Sequence, residues 1–401
     1  MATSNIPLFN ILEPKSPAPT GHALLRLGFR PFYLAAAGLA AVAVPVWIAV
    51  FLGYLAWLPS VSPLLWHAHE MLFGFATTVI IGFLMTAAKS WTGLATPRGP
   101  FLGALALLWL SARIAAVAAP YALYAVLDTL LLPVVAAVLT RLLLRAGNTR
   151  NLPLAGILIM LALVNAVFHL TVLGLLELPP VTILHAALAL ILMVECVMAG
   201  RVVPGFTQSA IPGLKIAPLL WLEWASLACT AMGLALWVIF PPGLATWVVL
   251  GLAAACHLGR QWRWHSVLTR HRPILWILHV SYAWIPVGLA LLALSQVGLV
   301  PVSLGIHALA VGTTGGLIIG MITRTARAHT GRHLEVSGAE VLAYAMLPVA
   351  AVMRVFIPLF WPTLLPVALL GAALAWSAAF LIYVIIYTPW LARTRIDGRD
   401  G

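Results

Sequence analysis

The chain has 401 residues, of which 63% are hydrophobic and only 8% are charged. Soluble domains are closer to half apolar and a quarter charged, so this composition excludes a soluble globular protein and indicates a polytopic membrane protein. A net charge of +12 would suggest a nucleic-acid partner for a soluble chain, but in a membrane protein basic residues also report topology.

Apolar segments of transmembrane length follow one another along the chain, separated by short stretches rich in Pro, Gly or Arg. Twelve helices are predicted, over residues 32–56, 64–88, 101–119, 121–145, 152–176, 180–203, 217–240, 244–264, 273–297, 301–324, 337–358 and 362–388. The predicted fold class is therefore an all-α polytopic membrane protein without a soluble domain. Its predicted organisation is a tail over residues 1–30, one transmembrane domain over 31–390 and a second tail over 391–401.

The distribution of Lys and Arg predicts how the helices are oriented. The loops after odd-numbered helices contain neither residue type. All but two of the 22 Lys and Arg residues lie in or beside the tails and the loops after even-numbered helices. The exceptions, Arg113 and Arg354, lie inside predicted spans. Both termini are therefore predicted to face the cytoplasm of a bacterial inner membrane, and the basic character requires no nucleic-acid partner.

An internal repeat relates predicted helices 2 and 10, which align without gaps at an offset of 238 residues. The matched positions are a His, a Gly and a Thr-Gly pair: His69 with His307, Gly74 with Gly312, and Thr92-Gly93 with Thr330-Gly331. Helix 6 fits less well, at an offset of 118 from helix 2. Because 238 is close to twice 118, three four-helix units are predicted, over roughly 31–150, 151–270 and 271–390. The alternative is chance similarity among helices rich in Gly and Ala.

Five histidines are predicted to lie at one depth, within about two turns of the outer helix ends. They are His67 and His69 on helix 2, His169 on helix 5, His185 on helix 6 and His307 on helix 10. Ionisable groups inside membrane spans are costly and mark a functional site by default, although a single buried His more often serves packing. Since imidazole binds haem iron and copper, this layer predicts a cofactor site. His67 and His69 are about 200° apart on a helix and are not expected to bind the same ion.

Charged residues accompany this histidine layer. Glu70 and Asp128 are predicted close to it, as are Arg113 and Arg354, whose guanidinium groups would suit haem propionates. A second layer nearer the cytoplasm holds Glu195 and two further histidines. Glu70 and Glu195 are the candidate proton carriers, while the alternative role for the inner layer is interhelical hydrogen bonding.

Several sequence motifs resemble the NnrS family over almost the whole chain. They are Arg26-Leu27-Gly28-Phe29-Arg30-Pro31-Phe32, Trp66-His67-Ala68-His69-Glu70-Met71, Gly200-Arg201-Val202-Val203-Pro204, Tyr282-Ala283-Trp284-Ile285-Pro286 and His329-Thr330-Gly331-Arg332. The resemblance implies a haem- and copper-containing inner-membrane protein of nitric oxide metabolism and nitrosative-stress resistance.

A looser similarity links the predicted layout to haem–copper oxidases and their nitric-oxide-reducing relatives. Those proteins also have twelve helices in three arcs, with metal-binding histidines on helices 2, 6, 7 and 10. Here helix 7 has no His pair and helix 10 has a single His, His307. The layout is similar, but the binuclear centre of that superfamily cannot be carried over.

Three functions remain open at this point. The first is an enzyme that reduces nitric oxide to nitrous oxide on a b-type haem, with electrons from a quinol or a c-type cytochrome. Its predicted iron ligands are His69 and His307, which the repeat places equivalently, with His67, His169 and His185 as further ligands of iron or copper. The second is a nitric oxide sink or sensor without turnover. The third is a transporter for a metal or small solute, although transporter sites usually lie near the membrane midplane.

Overall fold

The computed structural model describes residues 21–56 and 61–399, and most of the predicted N-terminal tail lies outside these ranges. Within them the chain forms twelve long helices joined by short turns, with no strand. In chain order the helices are α1 (Phe29–Phe51), α2 (Pro63–Thr92), α3 (Pro100–Ala118), α4 (Tyr121–Arg145), α5 (Leu152–Val172), α6 (Pro180–Ala210), α7 (Leu220–Ile239), α8 (Leu244–Trp262), α9 (Pro273–Gln296), α10 (Val302–His329), α11 (Gly338–Phe360) and α12 (Leu365–Leu391).

Eleven of these helices are long and apolar enough to cross a membrane, which confirms a multi-pass membrane protein. The sequence predicts twelve spans, and the helix that fails this criterion is α8. Its last turns carry His257, Arg260 and Gln261, which lower its mean hydropathy. The predicted end of α6 at residue 203 is also too early, since the helix continues through Pro204 to Ala210. An apolar run marks only the part of a helix that lies in lipid. The helical hydrogen bonds of the backbone can continue past the end of that run.

Consecutive helices pack against one another, and α12 returns to pack against α1. The Trp376 indole of α12 donates to the carbonyl of Ala40 over 3.0 Å. Arg30, at the start of α1, donates to the carbonyls of Leu391 and Arg393 over 2.8 Å each. The start of α1 and the end of α12 therefore lie at the same end of the bundle. The opposite end, where α1 finishes and α2 begins, is called the distal end below.

Helices α2 and α10 each contain a π-helical segment at matching positions. The segments are Glu70–Ala76 and Ala308–Gly315, and each begins at the residue after a histidine, His69 or His307. Their starts are separated by the same offset of 238 residues that aligns the two sequences. Short π segments are uncommon and often accompany functional sites. The shared irregularity supports the equivalence of α2 and α10, whereas α6 has no such segment and the division into three units stays a prediction.

Two glycines of the aligned motif make room for large neighbours. A Cβ at Gly74 would lie 2.6 Å from Glu70 Oε2 and 2.7 Å from Arg113 Nη1. A Cβ at Gly312 would lie 2.3 Å from Cγ of the Trp284 ring. Only glycine, which has no Cβ, therefore fits at these two positions beside the neighbouring side chains.

Substituting Gly312→Ala is expected to destabilise the protein by about 1–3 kcal/mol, because the methyl group forces the Trp284 ring out of its place. The matched control is Gly156→Ala on α5, where nothing lies within 4 Å of the added Cβ and the expected change is within about 0.5 kcal/mol. Thermal unfolding midpoints of the two variants in detergent measure the difference. Equal midpoints would contradict the packing described for Gly312.

Candidate functional site

A buried polar cluster lies at the distal end, between α2, α3, α4 and α5. At its centre is Arg113 on α3, whose Nη1 lies 2.7 Å from Glu70 Oε2 on α2. The other terminal nitrogen of Arg113 pairs with Asp128 Oδ1 on α4. The three residues are 8%, 1% and 7% exposed, respectively. One guanidinium thus faces two carboxylates, and their negative charge is only half compensated if both are ionised.

His69 joins this cluster through both of its ring nitrogens. Its Nδ1 lies 2.7 Å from the Tyr124 hydroxyl, and its Nε2 lies 2.9 Å from Asn165 Oδ1. The Tyr124 hydroxyl in turn donates to Glu70 Oε1 over 3.0 Å. Asn165 Nδ2 donates to Asp128 Oδ2 over 2.7 Å. The His69 ring is therefore fixed between two hydrogen-bonded neighbours, and each neighbour contacts one of the carboxylates.

His169 on α5 is the last member of the cluster. Its Nε2 lies 3.1 Å from Asp128 Oδ2, and its Nδ1 lies 2.8 Å from the Tyr121 hydroxyl. One donor atom each from His69, Asp128 and His169 fall within 4.8 Å of one another, and all three residues are buried. Two imidazoles and a carboxylate form a donor set that binds transition-metal ions.

A second group of side chains lies on the other side of α2. The His67 ring stacks on Trp47 of α1, with ring centroids 5.0 Å apart and planes 10° apart. His67 Nδ1 is buried and has no hydrogen-bond partner among the described residues. His307 on α10 and Arg354 on α11 lie within electrostatic range of His67. The two histidines are called the His67–His307 pair below, and Arg354 lies beside them.

The environment of His307 fixes which of its ring nitrogens is available. His307 Nδ1 lies 2.7 Å from the carbonyl oxygen of Ser303, one turn earlier on α10. Because a carbonyl only accepts, Nδ1 carries the ring proton, and the Nε2 lone pair is available to a metal. Arg354 forms no ion pair with a carboxylate in the described part of the chain. The His67–His307 pair thus offers an available imidazole nitrogen, and the guanidinium of Arg354 beside it has no carboxylate partner.

The five predicted histidines occupy three separate places. His67 and His69 face opposite sides of α2, as helical spacing predicts. His69 and His307 occupy equivalent positions of the repeat, yet each contacts different helices and the two do not contact each other. His185 stacks on Trp237 of α7, with ring centroids 4.5 Å apart. The expected convergence of all five around one group is therefore absent from the described contacts.

The two arginines predicted to pair with haem propionates have different surroundings. Arg113 pairs within the protein with Glu70 and Asp128, so it has no need of a propionate. Arg354 has no carboxylate partner among the described residues, and its pairing with a propionate stays a prediction.

Comparison with known protein families identifies the family to which the chain belongs. The NnrS protein family matches residues 23–395, which is nearly the whole chain. The chain belongs to the NnrS family. Membership relates the chain to nitric oxide metabolism and to metal binding. Neither the curated proteins nor the solved structures contain a match to it.

The NnrS resemblance implies haem and copper. The question for the distal end is whether its residues could bind a haem. The His67–His307 pair fits such a group in three respects. His307 presents an available Nε2, His67 has a buried Nδ1 without a partner, and Arg354 offers a guanidinium that lacks a carboxylate. His69 belongs to the separate polar cluster, where its ring nitrogens lie 2.7 Å from the Tyr124 hydroxyl and 2.9 Å from Asn165 Oδ1.

The inner-layer carboxylate of this NnrS protein, Glu195, lies on α6 and accepts a hydrogen bond from Thr314 of α10 over 3.1 Å. It lines an apolar cavity of about 80 Å³ between α2, α6 and α10, with Met198 and Met321 among its neighbours. Among the described residues that line the cavity, Glu195 alone carries a carboxyl group. The cavity lies where the three helices related by the predicted repeat meet.

Sequence reasoning missed several polar residues of the NnrS site. Tyr121, Tyr124, Asn165 and Ser303 were not predicted, although each touches a candidate histidine or carboxylate. A signal for two of them exists at helical spacing. Tyr124 precedes Asp128 and Asn165 precedes His169, each by four residues, which places both members on one helix face. Ser303 contributes its backbone carbonyl, which any residue at that position would supply.

Proposed function

We propose that this NnrS protein reduces nitric oxide to nitrous oxide in a bacterial inner membrane, on a haem that His307 would bind at the distal end, beside His67. The observation that carries the proposal is the His67–His307 pair in a chain that belongs to the NnrS family. A b-type haem supplies the redox chemistry of the reaction, in which two nitric oxide molecules, two electrons and two protons give nitrous oxide and water. Copper is the second metal that the family resemblance implies.

The residues around the His67–His307 pair would orient the haem and neutralise the charge of its propionates. The hydrogen bond from His307 Nδ1 to the Ser303 carbonyl holds the imidazole plane and raises its basicity as a ligand. Trp47 stacks on one face of the His67 ring. Arg354 would pair with a propionate, which offsets the cost of burying its charge.

Access to the distal end suits an apolar substrate. Nitric oxide partitions into the bilayer and can reach the protein laterally, so no aqueous channel is needed. With both termini cytoplasmic, the distal end would face the periplasm. Electrons would come from a quinol in the bilayer or from a c-type cytochrome. Glu195 would carry protons, because its carboxyl group lies beside an apolar cavity in the bundle interior.

Anaerobic nitric oxide consumption by the purified protein, with a reduced quinol as donor and nitrous oxide measured by gas chromatography, tests the proposal. We expect sustained turnover, and a roughly 100-fold lower rate in Glu195→Gln, because a positioned proton carrier typically contributes that much. The matched control is Glu177→Gln in the exposed turn before α6, with an expected wild-type rate. Uptake that stops after one equivalent would identify a sink, and no interaction with nitric oxide would leave the transporter alternative.

A further inference from the structure

We propose that His69, His169 and Asp128 form a binding site for a divalent transition-metal ion, separate from the His67–His307 pair. The ligand atoms are His69 Nε2, His169 Nε2 and Asp128 Oδ2. This proposal concerns the polar cluster between α2, α4 and α5 and does not depend on the nitric oxide reaction.

The spacing of the three atoms matches the edges of a metal coordination shell. Asp128 Oδ2 lies 3.5 Å from His69 Nε2 and 3.1 Å from His169 Nε2. With metal–ligand bonds of about 2.1 Å, neighbouring ligand atoms around an ion lie about 3.0–3.4 Å apart. One ligand atom from each of the three residues lies within 4.8 Å of the other two, so small rotations of the two rings suffice to bring them onto one ion. The other carboxylate oxygen, Oδ1, stays engaged with Arg113.

The hydrogen bonds of the cluster give an independent reason to place a cation here. Asp128, Asn165, His69, Tyr124 and Glu70 form a chain of four hydrogen-bonding contacts. Each contact needs one proton. The amide of Asn165, the hydroxyl of Tyr124 and a neutral imidazole supply one each, so with both carboxylates ionised the chain is one proton short.

In the His69 tautomer in which the Tyr124 hydroxyl donates to Glu70, Nδ1 carries the ring proton, and Asn165 Nδ2 donates to Asp128. The contact left without a proton is then the one between His69 Nε2 and Asn165 Oδ1. The Nε2 lone pair then faces an amide oxygen at 2.9 Å, two acceptors in contact. A cation between them removes this repulsion and adds the positive charge that Arg113 alone does not provide.

The surrounding residues already hold both rings in the orientation that a metal ligand needs. Metal-binding histidines usually donate their second ring nitrogen to an oxygen acceptor. For His69 Nδ1 this partner is the Tyr124 hydroxyl, which itself donates to Glu70. For His169 Nδ1 it is the Tyr121 hydroxyl. Each ring therefore directs Nε2 toward Asp128.

The donor set also restricts the class of ion. Two imidazoles with one carboxylate suit Fe²⁺, Co²⁺, Zn²⁺ or Cu²⁺. Among the residues that the structure describes, the site has no sulfur ligand for Cu⁺ and too few oxygens for Ca²⁺ or Mg²⁺. Asn165 Oδ1 lies within reach as a further ligand.

Titration with Co²⁺ tests the site in full-length, tag-free protein after treatment with a chelator. The visible absorption of Co²⁺ and the metal content per polypeptide are both measured. We expect one equivalent to bind in the wild type. Binding should be at least about 100-fold weaker in His169→Gln and about 10–100-fold weaker in Tyr121→Phe, which removes only the partner of Nδ1.

The matched control is His185→Gln, which changes a histidine at the same depth that stacks on Trp237 outside the cluster. It should bind Co²⁺ like the wild type, as should His307→Gln. Elution of each variant as the same species in size-exclusion chromatography establishes that it folds. The proposal is overturned if the wild type binds no Co²⁺, which would indicate a proton in place of the metal, or if His169→Gln and Tyr121→Phe bind as tightly as the wild type.

Discussion

Replacing His307 with alanine is expected to remove the haem absorbance, with occupancy lower by a factor on the order of ten or more. The reason is the hydrogen bond between His307 Nδ1 and the Ser303 carbonyl, which leaves Nε2 as an oriented ligand beside His67 and Arg354. The measurement is the Soret absorbance per polypeptide of the purified variant.

The control for this prediction is His185→Ala, a change at similar depth that should leave the spectrum as in the wild type, since His185 contacts Trp237 on the far side of α6. Arg354→Met should keep the protein folded but weaken haem retention, because it removes the proposed propionate partner. If His307→Ala retains the wild-type Soret band while a His69 variant loses it, the choice of the His67–His307 pair is wrong.

Replacing Arg113 with methionine is expected to destabilise the fold by about 3–5 kcal/mol. The guanidinium faces Glu70 and Asp128 in a buried cluster, so its removal leaves two carboxylates without their shared partner. The loss should appear as a lower midpoint of thermal unfolding in detergent.

Two comparisons sharpen the Arg113 prediction. Arg354→Met is the matched control, because it deletes an arginine without a carboxylate partner and should change stability far less. Combining Arg113→Met with Glu70→Gln should recover part of the loss, since one uncompensated charge disappears with the second change. A single Arg113 variant as stable as the wild type would contradict the ion-pair network.

Much of the fold is predictable from the sequence, because a lipid environment imposes simple rules. A helix that crosses the bilayer needs about 20 apolar residues, and the segments that meet this requirement locate the helices to within a few residues. The rule is weaker at α8, where His257 and Arg260 interrupt the apolar run. It also misses the end of α6, which extends past the apolar segment.

The candidate site is less predictable, because depth in the membrane does not determine which helix a side chain faces. Depth places His67, His69, His169, His185 and His307 in one layer, but only tertiary packing assigns them to different neighbours. The π-helical segments add to the difficulty, since they rotate the residues after His69 and His307 away from ideal helical positions. Helical spacing does predict correctly that His67 and His69 face opposite sides.

The optical spectrum of the purified wild-type protein, recorded anaerobically before and after addition of nitric oxide, tests the central claim most directly. A haem bound by His307, beside His67, predicts a Soret band in the reduced protein that shifts when nitric oxide is added. A colourless protein, or a Soret band that does not respond to nitric oxide, would contradict it.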